Sequence, residues 1–182
     1  LFIFLRGEYK HVREILETAL AEAKDAGILK QEIFIMLGAN AYISGCDTAL
    51  LETMEGKKAW PRQPPPFPTG SGLMGHPTVV NNVETLMMLP PIMDKGAEWF
   101  AGLGSPKCGG TALYSLSGHV EHPGVYEFPM GAKLLTVIEA AGGVRGGRNL
   151  KAVIPGGTST PVLTAAEALE AKMDFESLRS FG

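Results

Sequence analysis

The sequence predicts an α/β protein in which a parallel-sheet unit is followed by a small β-rich module. Three observations carry this. Residues 1–37 read as strand, helix, strand; the apolar period changes from helical to strand-like at Thr111; and a Gly- and Pro-bearing stretch over 104–110 separates the two patterns.

Residues 1–5, Leu-Phe-Ile-Phe-Leu, are a continuous apolar run stopped by Arg6-Gly7-Glu8, the pattern of a strand buried on both faces. With no charged segment before it, the run reads as a strand and not as a secretion signal. An opening inside a strand, without Met, reads as a piece of something longer, and the end at Gly182 reads the same way. Val12, Ile15, Leu16, Ala19, Leu20 and Ala23 recur at helical spacing over about 9–26, and Gly27 supplies the left-handed residue that ends such helices. The short apolar run 32–37 returns as a second strand. A β-α-β order predicts a right-handed crossover between parallel strands.

Gly38–Gly45 is then the turn at the carboxyl end of that strand, which is where open α/β sheets bind ligands. Ser44 or Asp47 is expected to cap the next helix, and Gly56 to end it. Proline-rich residues 60–77 are expected to cross the surface without regular structure. Asn81 or Asn82 is expected to cap a helix that stops before Pro90-Pro91. A short helix over 95–103 presents Trp99, Phe100 and Leu103. Strands at 111–118 and 125–128 flank the turn 121–124. A helix bearing Leu134, Leu135, Val137, Ile138 and Ala141 ends at Gly142-Gly143, and a third strand covers 152–154. This ββαβ order is β-grasp-like. The expected boundaries are 1–108, 109–160 and a linker over 161–182.

Composition narrows the function. With 45% hydrophobic and 19% charged residues the chain is globular. A net charge of −3 offers no field for nucleic acid or an anionic membrane, and no apolar run is long enough for a membrane span. Two cysteines, Cys46 and Cys108, build neither a disulfide framework nor a four-Cys metal site, and read as reduced thiols of a cytosolic-type compartment. The histidines show no metal-ligand spacing.

Four segments carry candidate chemistry, each beside a blander reading. The Gly38–Thr48 turn offers backbone N–H groups and a helix start to an anionic cofactor, or is an ordinary strand-to-helix joint. It is neither a phosphate-binding P-loop nor a Gly-x-Gly-x-x-Gly fingerprint. Asn81-Asn82 carries donors and acceptors for a heteroaromatic edge, or is a bare cap pair. Pro64–Pro68 is a partner ligand or, by preference, a stiff crossover. Gly156–Thr160 is an anion loop or, by preference, a plain turn. Cys46 at a helix start has no His or Lys beside it in sequence, which favours an inert thiol.

In order along the chain, Arg6-Gly7-Glu8-Tyr9, Gly38–Gly56, Pro61-Arg62 with Pro65–Pro68, Pro77-Thr78 with Asn81–Thr85, Ser117-Gly118 with Pro123-Gly124, Ala140–Gly143 and Pro155–Gly157 resemble the NADH-binding flavoprotein subunit of respiratory complex I. The matching subunits of NAD-reducing hydrogenases and NAD-dependent formate dehydrogenases belong to the same family. The resemblance spans nearly the whole chain. It implies the second half of a Rossmann-like flavin domain, followed by a β-grasp module of the SLBB type. It also implies cofactor-binding residues: Tyr42 near FMN; Gly45; Cys46 and Asp47 facing the flavin ring and NAD(H); and Val80, Asn81, Asn82 and Thr85 lining the flavin.

The implied activity is that of an NADH dehydrogenase (quinone) subunit, passing hydride from NADH to FMN and single electrons to iron–sulfur clusters, with no general acid or base. The family's other Gly-rich loop falls upstream of residue 1 and its 4Fe–4S cysteines downstream of residue 182, so the chain alone is expected to be inactive. The implied partners are the thioredoxin-like and the large iron–sulfur subunits, at a cytoplasmic site peripheral to the inner membrane, without nucleic acid or direct membrane insertion. The sequence departs from the family at Asn40, where a Gly is expected, at Cys46, where a Glu is expected, at Asp47, one methylene shorter than its Glu, and at 28–32, which is shortened. These departures keep open a non-catalytic scaffold, and a small-ligand binder built on the SLBB module.

Overall fold

A computed structural model describes residues 1–157 and 159–182. The chain divides into two compact units, Leu1–Asn82 and Val83–Gly182.

In the first unit, β1 (Phe2–Leu5) and β2 (Phe34–Leu37) pair in parallel, with Phe2 opposite Phe34 and Leu5 opposite Leu37. The parallel connection is α1 (Lys10–Asp25). Val12, Leu16, Leu20 and Ala23 are the half-buried stripe of α1, whereas Ile15 and Ala19 face solvent. The buried face is therefore narrower than the sequence reading made it. Gly27 closes α1 at φ +68°, with Gly27 N–H donating to the Lys24 carbonyl and Ile28 N–H to the Ala23 carbonyl, a Schellman closure.

Residues 42–45 make one 3₁₀ turn and lead into α2 (Asp47–Met54), which Gly56 ends at φ +76°. The N-cap of α2 is Cys46, without a side-chain cap bond, which corrects the expectation of Ser44 or Asp47. Ser44 is spent elsewhere, since its hydroxyl donates to the Ala41 carbonyl at 2.6 Å. Asp47 is the first helical residue and accepts the Thr48 N–H at 2.7 Å. The small core of this unit is Ser44, Thr48, Ala49 and Leu51. The proline-rich crossover holds one short 3₁₀ turn, Leu73–Gly75.

The second unit opens with α3 (Val83–Lys95), which runs through Pro90 and Pro91 instead of stopping before them. Each proline removes only one backbone donor, and its fixed φ is already helical. Exposed Leu86 and Met87, whose carbonyls lose those donors, leave them open to water. Next comes α4 (Ala97–Gly102), then the antiparallel pair β3 (Thr111–Leu116) and β4 (Gly124–Pro129). After α5 (Leu134–Ala140), β5 (Ala152–Val153) pairs antiparallel with β6 (Leu163–Thr164), followed by α6 (Ala165–Glu170) and α7 (Phe175–Arg179).

One core joins the elements from β3 onward. Leu134, Val137 and Ile138 of α5 pack with Leu163, Ala168, Ala171 and Met173, and Tyr114, Leu116, Tyr126 and Phe128 close over them from the hairpin. Residues 161–182, read from sequence as the start of a linker, thus carry part of this core. Thr164 caps α6 in a capping box with Glu167, and Asp174 caps α7 through the Ser177 N–H at 2.8 Å. Among the described residues no helix is long and apolar enough to cross a membrane.

Candidate functional site

The glycines of the 38–45 turn have different jobs. Gly38 faces the Phe4 ring so closely that any Cβ would collide with it, and Gly7 of the Arg-Gly-Glu-Tyr segment would drive a Cβ into the Asn40 side chain and to 2.6 Å from the Gly38 carbonyl. Those two are packing glycines. Gly45 is neither packed nor in the left-handed region, and a Cβ there would meet nothing within 4 Å. Asn40 also has no positive φ, so its replacement of a Gly demands no unusual backbone.

Around Gly45 the surface is apolar and open. Tyr42 is 88% exposed and Ile43 is 45% exposed, although Ser44 between them and Gly45 is fully buried. The 3₁₀ turn therefore anchors on Ser44 and turns Tyr42 outward. Cys46 is half-buried, with Sγ 3.5 Å from Asp47 Oδ1 and 3.8 Å from Thr48 Oγ1. The Asp47 carboxylate sits on the first turn of α2, where the helix dipole favours a negative charge.

Sequence reasoning missed two residues here. Arg6 donates through one terminal nitrogen to Glu8 Oε1 at 2.7 Å, a bond that raises its pKa further, while its buried Nε has no partner among the described residues. Arg62 is the other. Its Nε donates to Glu52 Oε1 at 2.5 Å, one terminal nitrogen to Glu55 Oε1 at 2.7 Å, the other to the Gly72 carbonyl at 2.8 Å, and its backbone N–H to Thr48 Oγ1 at 3.0 Å. Glu55 also accepts the Met74 N–H at 2.8 Å and Lys57 Nζ at 2.7 Å. Lys57 first, then Arg62 and the Met74 amide, hold the Glu55 carboxyl down at about 2. The signal in the sequence was an Arg inside a proline-rich crossover, facing acids at 52 and 55, three residues apart at the end of α2.

This clamp connects the sequence-predicted residues. It ties the crossover, through Gly72 and Met74, to the helix that starts at Asp47. Thr78 then closes the crossover by accepting the Leu73 N–H at 2.9 Å, and the chain runs on into exposed Val80, Asn81 and Asn82. Tyr42, Gly45, Cys46, Asp47, Val80, Asn81 and Asn82 share the first unit; Thr85 is an exposed residue of α3 in the second. At the other candidate loop, Gly156 N–H is already taken by Thr160 Oγ1 at 3.1 Å, and Thr158 lies outside the described residues. No cluster of metal-ligating side chains occurs among the described residues.

A turn at the carboxyl end of paired parallel strands, opening a helix, is the ligand end of an open α/β sheet. Residues 1–91 match the family described as the Nuo51 FMN-binding domain, and residues 112–179 match the SLBB domain. The chain belongs to the Nuo51 FMN-binding family. It is 46% identical over 196 residues to the F subunit of the NADH-quinone oxidoreductase of Rhodobacter capsulatus, covering all of this chain and 46% of the relative. The second F-type subunit of the same enzyme in Rhizobium meliloti (strain 1021) is 48% identical over 191 residues, covering 100% and 45%. Among solved structures, an NAD+-reducing [NiFe]-hydrogenase in the air-oxidized state superposes with a TM-score of 0.87 at 41% identity, over 97% of this chain and 30% of that one. The chain thus spans less than half the length of the relatives it matches.

Proposed function

We propose that this chain supplies one face of the flavin site of an NADH-oxidising flavoprotein subunit. Gly45 carries the reading. Neither its backbone angles nor its neighbours require a glycine, and it lies between outward-facing Tyr42 and the start of α2, where a flat ring has room to lie. The open Gly45, the exposed apolar surface beside it and the orphaned Arg6 Nε fit FMN. Tyr42, Gly45, Val80, Asn81 and Asn82 of the first unit would hold it, with Cys46 and Asp47 toward NAD(H). When bound, FMN supplies hydride acceptance from NADH and release of single electrons to iron–sulfur clusters.

The chain's own residues bind and orient. Asp47 keeps its carboxylate on the Thr48 amide, and the Arg62 clamp fixes the crossover that leads to Asn81 and Asn82. In the same reading, the first domain ends at 108, a boundary supported by family matches that stop at 91 and resume at 112. The whole protein works beside iron–sulfur subunits at a cytoplasmic site peripheral to a membrane, with its 4Fe–4S cluster outside this chain.

The test is a titration of the 182-residue chain with FMN, followed by flavin fluorescence. The chain holds only this face of the site, so weak or undetectable binding is expected. Tight stoichiometric quenching would contradict a half-site.

A further inference from the structure

The second unit contains an unfilled slot between two strands. β3 pairs only with β4, and β5 only with β6, so the facing edges of β3 and β5 carry no ladder between them among the described residues. Between them lies a cavity of about 1010 Å³. Its floor is core, namely Leu134, Val137 and Ile138, and its lips include Leu113 (56% exposed) and Ile154 (49% exposed). His119, Arg145, Arg148 and Lys151 also line it, and the Glu84 carboxylate sits at its lip on the Leu113 N–H. Arg145, Arg148 and Lys151 make no ion pair among the described residues.

The edge of β3 is already a working hydrogen-bond donor. Leu113 N–H donates outward to the Glu84 carboxylate at 3.1 Å. Alternation along an antiparallel pair turns the N–H and C=O of Ser115 the same way, into the slot. A six-residue strand such as β3 offers about 20 Å of edge, at roughly 3.3 Å per residue.

We propose that this slot receives an extended, acidic peptide segment of a partner protein, added as a strand along β3. Backbone bonds to Ser115 would fix its register, its apolar side chains would descend onto Leu134 and Val137, and its alternate carboxylates would meet Arg145, Arg148 and Lys151. Main-chain pairing supplies affinity in such additions, and side-chain pockets supply specificity. Three cations gathered on one side of the slot select the sign of the charge.

The experiment uses the 182-residue chain and a fluorescently labelled, end-blocked heptapeptide of alternating Val and Glu, read by anisotropy. The expected result is saturable binding, at least about tenfold tighter than for the Val/Lys counterpart. Charge reversal at R148E with K151E should weaken it about tenfold or more, with an unchanged far-UV spectrum because both positions are exposed. N-methylation of alternate peptide amides should abolish it, and amide exchange at Ser115 in the unmodified chain should slow when peptide binds. The proposal is overturned by equal binding of the Glu and Lys peptides, by no saturation up to about 1 mM, by binding that survives N-methylation, or by inorganic phosphate displacing the peptide, which would mark a small-anion site. The exchange measurement decides the matter even if the double variant misfolds.

Discussion

Arg62 and Glu55, seven residues apart in sequence, meet at 2.7 Å, and the same Glu55 oxygen accepts the Met74 amide at 2.8 Å. One carboxylate thereby pins a crossover to a helix from both of its ends. Removing the guanidinium in Arg62→Met would deprive both Glu52 and Glu55 of a charged donor. The expected loss in the first unit is about 2 kcal/mol, the scale of hydrogen bonds to charged groups. Arg62→Lys should recover little, because an ammonium cannot reproduce a fork that reaches two carboxylates and a carbonyl. Urea denaturation of the three proteins checks this; equal midpoints would contradict it.

The same carboxylate predicts an acid dependence. Its folded value is held at about 2, against 4.5 ordinarily. A depressed carboxyl contributes stability that is complete above the unfolded value and is lost as pH falls toward the folded one. The stability difference between the native chain and Glu55→Gln should therefore be constant above pH 4.5 and shrink between 4.5 and 2. A difference that does not change over that window would remove Glu55 from the clamp.

The clamp also marks where sequence reading stops. Strands 2–5 and 34–37, the helix between them, the hairpin and α5 were legible because each shows its own period or its own terminating glycine. Tyr42, Val80 and Thr85 could be named only through resemblance, since spacing alone left a generic turn and a bare pair of asparagines. The clamp made by Arg62 went unread because its partners are brought to it by a chain reversal, not by a local pattern. The β6–α6–α7 segment was missed for a related reason. A two-residue strand and two helices of five or six residues carry too little periodicity, and they are held by burial of Leu163, Ala168 and Met173. The helix through Pro90-Pro91 shows a local rule overridden by its surroundings.

Leu163 tests whether residues 161–182 belong to the module. It is 1% exposed within the α5 core. Leu163→Ala should cost roughly 3 kcal/mol, the usual penalty for a buried leucine, and truncation after residue 160 should abolish the near-UV signal of Tyr114 and Tyr126. Thermal unfolding indistinguishable from the native chain would make this segment an appendage.

Cys46 stands where relatives of this type are expected to carry a glutamate, beside Asp47 on the first turn of α2. In the product of the full reading frame, Cys46→Glu should raise the preference for NADH over NADPH by about tenfold, near 1.4 kcal/mol, because a second fixed negative charge repels a 2′-phosphate. The ratio of kcat/KM for the two nucleotides reads this directly. An unchanged ratio would place Cys46 away from the nucleotide.

Whether the flavin lies on the open turn is read most directly at Gly45. Gly45→Val in the product of the full reading frame adds a side chain into space that no protein atom occupies within 4 Å of the new Cβ. The measurement is FMN content and flavin-quenching affinity beside the Tm of the flavin-free protein. An unchanged Tm is expected, with FMN affinity reduced by about a hundredfold or more. Stoichiometric FMN retained at native affinity would contradict it, because the open face at Gly45 would then not be where the flavin lies.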